Sequence, residues 1–401
     1  MNILWVKTEL LHPLDAGGRI RTFNIVKKLA HLHRVTYLCY ADSGNEKEAI
    51  TELSKYVDKI VVVERKNTPR FSFSFYLEVA KSLATPFPYT IKKYYTREMA
   101  DKITELVGRD DFDSIICDFL APSMNFGMDI KKRSVLFQHN VESQIWKRHV
   151  RYQRNPVKRF LFQQECRKLL RYEENACREF EKVLAVSKED RDWFSSHFNI
   201  THVLDIPTGV DTDFFQPAAK EAEPGNIVFT GSMDWLPNED AVVWFVEEIM
   251  PVVRAAAHPI RFVIVGRRPT AVVRKLGEDY PDVIVTGDVD DIRPYMANAA
   301  VFVVPIRIGG GTRMKIYEAM AMGKAVVSTS VGAEGLPLVN GKHLLIADSR
   351  DDFAGEVIRV LRDKGLATNL GSAGNIFVNE NCGWDHVAEI FLCAVGGKIS
   401  S

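Results

Sequence analysis

The chain has 401 residues, a length that predicts about two to three domains. Lysine plus arginine and aspartate plus glutamate are equal at 52 each, so no global field draws the protein to nucleic acid or to an acidic surface. A hydrophobic fraction of 46% with 26% charged residues allows a core of normal size. No apolar run reaches the roughly 18 residues that a membrane-spanning helix needs.

Cys39, Cys117, Cys166, Cys177, Cys382 and Cys393 are scattered, with no C-x-x-C pair. That pattern predicts reduced thiols in a cytoplasmic protein rather than a disulfide framework or a zinc site. Met1–Thr8 carries neither a basic n-region nor a long apolar h-region, so no signal peptide is read there.

In chain order, short β-branched runs predict strands at Ile3–Val6, Val35–Tyr40, Ile60–Val63, Ser114–Cys117, Val135–Phe137, Val183–Val186 and Val203–Ile206. A second series follows at Ile227–Thr230, Phe262–Val265, Val283–Thr286, Val301–Pro305, Ala325–Ser328 and Leu344–Ile346. Helical periodicity lies between most of them, for example over Ala241–Val253. Such alternation predicts parallel sheets with helices on both faces. There are too many strands for one comfortable sheet. The polar, proline-containing stretch Gln216–Gly225 reads as a linker. The expected architecture is α/β, with two Rossmann-like doubly wound domains, 1–215 and 216–380, facing a cleft beyond the strands' carboxyl ends. The segment 381–401 would add a helix, Asn381–Val395, that packs back on the first domain.

Several motifs fall where those strands end. Gly17-Gly18 opens the first helix and can present backbone donors to a phosphate. It is not G-x-G-x-x-G, and no acidic residue clearly ends the second strand, which argues against an NAD-binding dehydrogenase. His139, within Gln138–Glu142, follows Val135–Phe137, where it can hydrogen-bond a sugar hydroxyl or move a proton. The plainer alternative is a structural histidine. Gly287-Asp288-Val289-Asp290-Asp291 contains an Asp-x-Asp that recurs at Asp211–Asp213 and Asp111–Asp113. A pattern that common is weak support for a metal.

The densest run is Gly309-Gly310-Gly311-Thr312-Arg313-Met314-Lys315, continuing through Glu318 to Gly323. Arg313 and Lys315 fall in the first turn of a predicted helix, where the dipole is already positive. Shared coordination of a phosphate or diphosphate resolves that clash, and bare glycines let the ligand reach the backbone. Glu318 sits among Ile316, Tyr317, Met320 and Ala321. Its carboxylate suits a ribose diol, the alternatives being an ion pair or a surface position. The run Lys147–Arg171 carries nine basic residues against Glu165 alone, interleaved with Trp146, Tyr152, Phe160, Leu161 and Phe162. It reads as a face for an anionic acceptor or for peripheral contact with an anionic membrane at its inner surface, or as a solvated helix face.

Taken together these residues resemble a GT-B glycosyltransferase of the large retaining family 4. The resemblance rests on Gly17-Gly18, His139 to Glu142, Ala185-Val186-Ser187 with Asp190, Gly209-Val210-Asp211 with Phe215, Gly231-Ser232-Met233, and Pro305 to Gly323 followed by Gly332 and Glu334. Gly309 to Lys315 resembles the subgroup reading G-G-G-T-R-x-K, which includes transferases of surface polysaccharides and glycolipids. The resemblance implies retaining transfer from a nucleotide sugar without a required metal or other cofactor. It implies that Glu318 holds the ribose, that Arg313, Lys315 and the glycine run with Thr312 face the diphosphate, and that Val289 and Asp290 border the base. Gly17 and Gly18 would reach the diphosphate from the first domain, and His139 would lie near the transferred sugar. The acceptor would be a glycan, a lipid-linked sugar or a small molecule; no nucleic acid is implied.

Two departures stand out. The common E-x7-E motif has Gly310 in its first acidic position, and the usual arginine and lysine after the first strand of the second domain are replaced by Gly231–Asn238. The rival readings are a nucleotide-sugar epimerase or inverting transferase on the same fold, and a non-catalytic sugar-nucleotide-binding scaffold.

Overall fold

The computed structural model describes residues 1–14, 16–41, 46–65, 72–153, 155–218, 222–257, 259–308 and 314–396. They divide into two compact units, Met1–Pro207 with Trp384–Ser401, and Thr208–Gly383. The stretch Gln216–Gly225, read as a linker, therefore falls inside the second unit.

The first unit is built on β1 (Asn2–Val6), β2 (Arg34–Ala41), β3 (Lys59–Glu64), β4 (Ser114–Asp118), β5 (Val135–Phe137), β6 (Lys182–Ala185) and β7 (Val203–Asp205). They form a parallel sheet in the order β3-β2-β1-β4-β5-β6-β7. The second unit carries β8 (Asn226–Thr230), β9 (Arg261–Val265), β10 (Val283–Gly287), β11 (Val301–Val304), β12 (Val326–Ser328) and β13 (Leu345–Ile346), also parallel, in the order β10-β9-β8-β11-β12-β13. Each strand coincides with one of the predicted apolar runs. Central parallel strands are covered on both faces and therefore lack polar alternation; Ile3–Val6 and Phe302–Val304 are fully buried.

The helices that frame the two sites are α1 (Gly17–Leu29), α2 (Glu142–Tyr152), α3 (Pro156–Glu179), α4 (Lys188–Phe198), α5 (Leu236–Trp244), α6 (Met314–Ala321) and α7 (Trp384–Ala394). The basic run 147–171 is not one helix. Asn155 caps α3 by accepting from the backbone N–H groups of Val157 and Lys158, with Pro156 in the first turn, so α2 and α3 are separate. The periodic stretch Ala241–Val253 is likewise interrupted, by a π-turn at Phe245–Ile249 before a further helix, Met250–Ala256. Pro251 has no N–H to continue the α-ladder, and the wider turn accommodates its ring. The expected helix Asn381–Val395 begins later, at Trp384. Within the first unit, Phe391 of α7 stacks on Trp5 with centroids 5.3 Å apart, and Asp385 pairs with Lys28 of α1 at 2.7 Å.

Each sheet has one place where successive strands were added on opposite sides: between β1 and β4, and between β8 and β11. Loops diverge there and leave a crevice at the strands' carboxyl ends, the usual ligand position in open α/β sheets.

Candidate functional site

At the β1/β4 crevice the residues that diverge are charged and wholly buried. Lys7 follows β1, Asp118 ends β4, His139 lies just beyond β5, and Arg21 and Thr22 belong to α1. Asp118 Oδ2 accepts from Trp5 Nε1 at 2.9 Å, Lys7 Nζ at 2.9 Å and Thr22 Oγ1 at 2.7 Å. Its Oδ1 lies 2.6 Å from His139 Nε2. Arg21 NH1 is 3.2 Å from His139 Nδ1. A guanidinium can only donate, so Nδ1 accepts and Nε2 carries the proton shared with Asp118.

Burial alone would raise the Asp118 carboxyl, but Lys7, His139 and Thr22 outweigh it and hold the group well below the ordinary carboxylate range. Burial lowers His139 well below its usual value despite Asp118, so the imidazole is neutral. Burial lowers Lys7, with Asp118 opposing, and brings Arg21 down to about 10, with Asp118 and Asp190 opposing. Two cations thus face two carboxylates, and the histidine links them. Lys7, Asp118 and His139 are 1%, 0% and 3% exposed.

Phe119, at φ 75°, lays its ring on His139 with centroids 3.9 Å apart and planes within 8°. Gly18 packs against both. A Cβ there would stand 2.6 Å from Phe119 Cζ and 3.7 Å from His139 Nδ1, so the opening of α1 needs the missing side chain for close approach. Gly18 therefore sits beside His139, although the two lie in separate loops of the sequence.

The β8/β11 crevice carries charges that are less deeply buried. Lys315 and Glu318 of α6 are each partly exposed. Lys315 Nζ donates to Asn238 Oδ1 at 3.0 Å and stands 4.0 Å above the Phe229 ring. Asn238 is in turn fixed by donating to the Ser232 carbonyl at 2.9 Å. Close backbone approach makes room for this. A Cβ on Gly231 would lie 2.8 Å from Lys315 Nζ, and one on Gly266 would lie 1.7 Å from the Gly231 carbonyl oxygen. Arg267 Nε adds a hydrogen bond to Ser232 Oγ at 3.2 Å. The loop after β8 lacks a cation of its own at Gly231–Met233, and α6 supplies one from 77 residues away in sequence.

Burial raises the Glu318 carboxyl to about 7, and Lys315 pulls the other way. It is poised to change charge near neutrality. Gly309, Gly310, Gly311, Thr312 and Arg313 lie outside the described residues. Val289 is partly buried against the core, while Asp290 is exposed at the end of β10, two strands away from the crevice. The other Asp-x-Asp pairs have local duties. Asp211 accepts from the N–H groups of Asp213 and Phe214, and Asp113 accepts from Asn2 N–H at 2.6 Å.

Sequence reasoning missed Lys7, Asp118 and Thr22 in one crevice and Asn238 in the other. A lone aspartate ending a buried strand, and a lysine directly after another, were the signals available for the first pair.

Two family models tile the chain. "Glycosyltransferase Family 4" matches residues 16–214, and "Glycosyl transferases group 1" matches residues 224–363. The chain belongs to the family 4 glycosyltransferases of GT-B fold. Among curated relatives, an "Uncharacterized 44.6 kDa protein in cps region" of Klebsiella pneumoniae is 21% identical over 401 residues, covering 94% of this chain and 96% of that one. A "GDP-mannose-dependent alpha-(1-6)-phosphatidylinositol monomannoside mannosyltransferase" of Mycobacterium tuberculosis is 30% identical over 231 residues, which are 51% of this chain and 59% of the relative. Solved structures agree on the fold. Sucrose-phosphate synthase from Thermosynechococcus elongatus has a TM-score of 0.69 at 15% identity, covering 98% of this chain and 97% of its own. Anabaena HepE in complex with UDP has a TM-score of 0.68 at 14% identity, with 98% of each chain covered. Among the described residues no helix is long and apolar enough to cross a membrane.

Proposed function

We propose that this glycosyltransferase is retaining and metal-independent, moving a sugar from a nucleotide sugar to an acceptor hydroxyl during assembly of a surface polysaccharide, glycolipid or other glycoconjugate. The observation that carries the reading is Lys315, whose ammonium is delivered from α6 into the glycine-lined loop after β8. A fixed cation at a switch-point crevice is preorganised for the charge that grows on a leaving diphosphate. Arg313 would act beside it, and the backbone of Gly309–Thr312 would cradle the same phosphates. Because two cations neutralise the diphosphate, no metal is needed for that task. Glu318 accepts hydrogen bonds from the ribose diol, and Val289 and Asp290 border the base.

In the transfer step the bond between the anomeric carbon and the β-phosphate oxygen breaks. The acceptor oxygen bonds to that carbon on the same face, and its proton passes to the departing phosphate. His139 is neutral and engaged at both ring nitrogens, so it serves by positioning Gly18 and the stacked Phe119 rather than by taking the proton. The HepE complex with UDP and the GDP-mannose dependence of the mycobacterial relative support a nucleotide-sugar donor and name the two bases to try first.

Thermal-shift screening over UDP- and GDP-sugars tests the reading. A true donor raises the melting temperature by mass action, in the presence of EDTA as well as without it. No shift with any nucleotide sugar or nucleoside diphosphate would favour the non-catalytic scaffold.

A further inference from the structure

The first unit holds a concavity to which the reading above assigns no role. It lies among α2, α3 and α4, has a volume of about 610 Å³, and is lined by Lys147, Arg148, Arg151 and Arg159 together with Trp193 and His197. Lys147 and Arg151 are one turn apart on α2, where like charges destabilise a helix. Arg159 sits in the first turn of α3, where the dipole is already positive. Among the described residues, no aspartate or glutamate lines the space.

Glu165, Glu173 and Asp192 of the surrounding helices are engaged in contacts of their own. Glu165 accepts from Tyr89 N–H at 2.7 Å. Glu173 caps α2 by accepting from Glu142 N–H at 2.8 Å and Ser143 N–H at 3.1 Å. Asp192 pairs with Arg191 at 2.8 Å. Lys147, Arg151 and Arg159 make no ion pair with any described residue. One wall is flat: Trp193 stacks on His197 with centroids 4.4 Å apart and planes within 14°.

We infer that this pocket binds the anionic group of the acceptor, a saccharide carrying phosphate, sulfate or carboxylate; this rests on the glycosyltransfer reading above. Guanidinium forks recognise such anions through paired charge-assisted hydrogen bonds, and an aromatic face offers the apolar side of a sugar ring a stacking surface. A bound anion also relieves the mutual repulsion of the lining cations. The concave shape and the aromatic wall favour a discrete saccharide over a flat lipid surface.

Calorimetric titration with glucose 6-phosphate, against glucose as the neutral control, tests the inference on the full chain. Binding of the phosphate sugar alone is expected, weakening as salt is raised. The R151E/R159E variant should bind it about tenfold more weakly or worse, while the shift in melting temperature given by UDP or GDP stays at the wild-type value. K315A should keep glucose 6-phosphate binding. The inference is overturned if glucose 6-phosphate fails to bind a protein that responds to nucleotides, if R151E/R159E binds it as the wild type does, or if K315A abolishes it. It is equally overturned if the chain floats with phosphatidylglycerol vesicles and binds no sugar phosphate, since the anion would then be a headgroup. Phosphate-sugar binding without any nucleotide response would leave the pocket standing and remove the donor reading instead.

Discussion

The two switch points of this molecule do opposite things with charge. At β1/β4, Lys7, Arg21, Asp118 and His139 answer one another inside the protein, and the crevice is closed by its own side chains. At β8/β11, Lys315 is held by a neutral amide and Glu318 keeps partial solvent contact. A charge satisfied within the fold stabilises the fold. A charge left partly exposed at a crevice can also meet a ligand. The same topology therefore yields a structural strut in one unit and a candidate binding site in the other.

The two crevices should respond in opposite ways to loss of a charged side chain. Replacing Asp118 by alanine leaves Lys7 buried without its carboxylate and should cost about 3–5 kcal/mol of stability, read by denaturant unfolding. If D118A unfolds like the wild type but loses activity, the first crevice is a catalytic site and not a strut. Replacing Lys315 by alanine should do the converse, reducing turnover by about 10² or more with an almost unchanged melting temperature.

A smaller effect is expected from Gly18→Ala. The added methyl must displace Phe119 from its stack on His139, so the nucleotide-sugar KM should rise while the unfolding midpoint falls only modestly. Wild-type kinetics in G18A would detach the Gly17-Gly18 loop from the donor.

The pH dependence of the two carboxylates has opposite sign. Asp118 is depressed when folded, so its stabilisation is present above its unfolded value of about 4 and is lost as pH falls below that. Glu318 is raised to about 7 when folded, so its contribution favours the folded state at low pH and is lost as pH rises from its unfolded value of about 4.3 through 7. For donor binding the order reverses if Glu318 holds the ribose as proposed, because its ionised carboxylate accepts both diol hydrogen bonds. KM for the donor should climb as pH drops below about 7, and E318Q should flatten that profile. A flat wild-type profile would remove Glu318 from the ribose site.

Much of the fold was legible because buried parallel strands leave a simple trace. Ile3–Val6 and Val301–Pro305 are apolar runs with no polar alternation, and each became a strand. The breaks were harder to see. Periodicity carried straight through Ala241–Val253, where only Pro251 interrupts it, and the basic run 147–171 is divided only by the local chemistry of Asn155-Pro156. The sites were half legible. Lys315 and Glu318 announced themselves as charges out of place on one short helix, and His139 as a polar residue at a strand's end. Asp118 carried only the faint signal of an aspartate ending an apolar strand, and Asn238 carried none. Their meaning comes from partners 111 and 77 residues away, brought together by the strand order β1-β4 and β8-β11.

Retaining transfer driven from the β8/β11 crevice, as proposed, fixes both the stereochemistry of the product and its dependence on Lys315. Proton NMR of the anomeric signal, followed in real time with the donor found by thermal shift and its acceptor, reports stereochemistry and rate together. The account predicts a product with the donor's anomeric configuration, formed by the wild type and slowed about 10²-fold or more in K315A. An inverted product, or a K315A variant that keeps the wild-type rate, would contradict it.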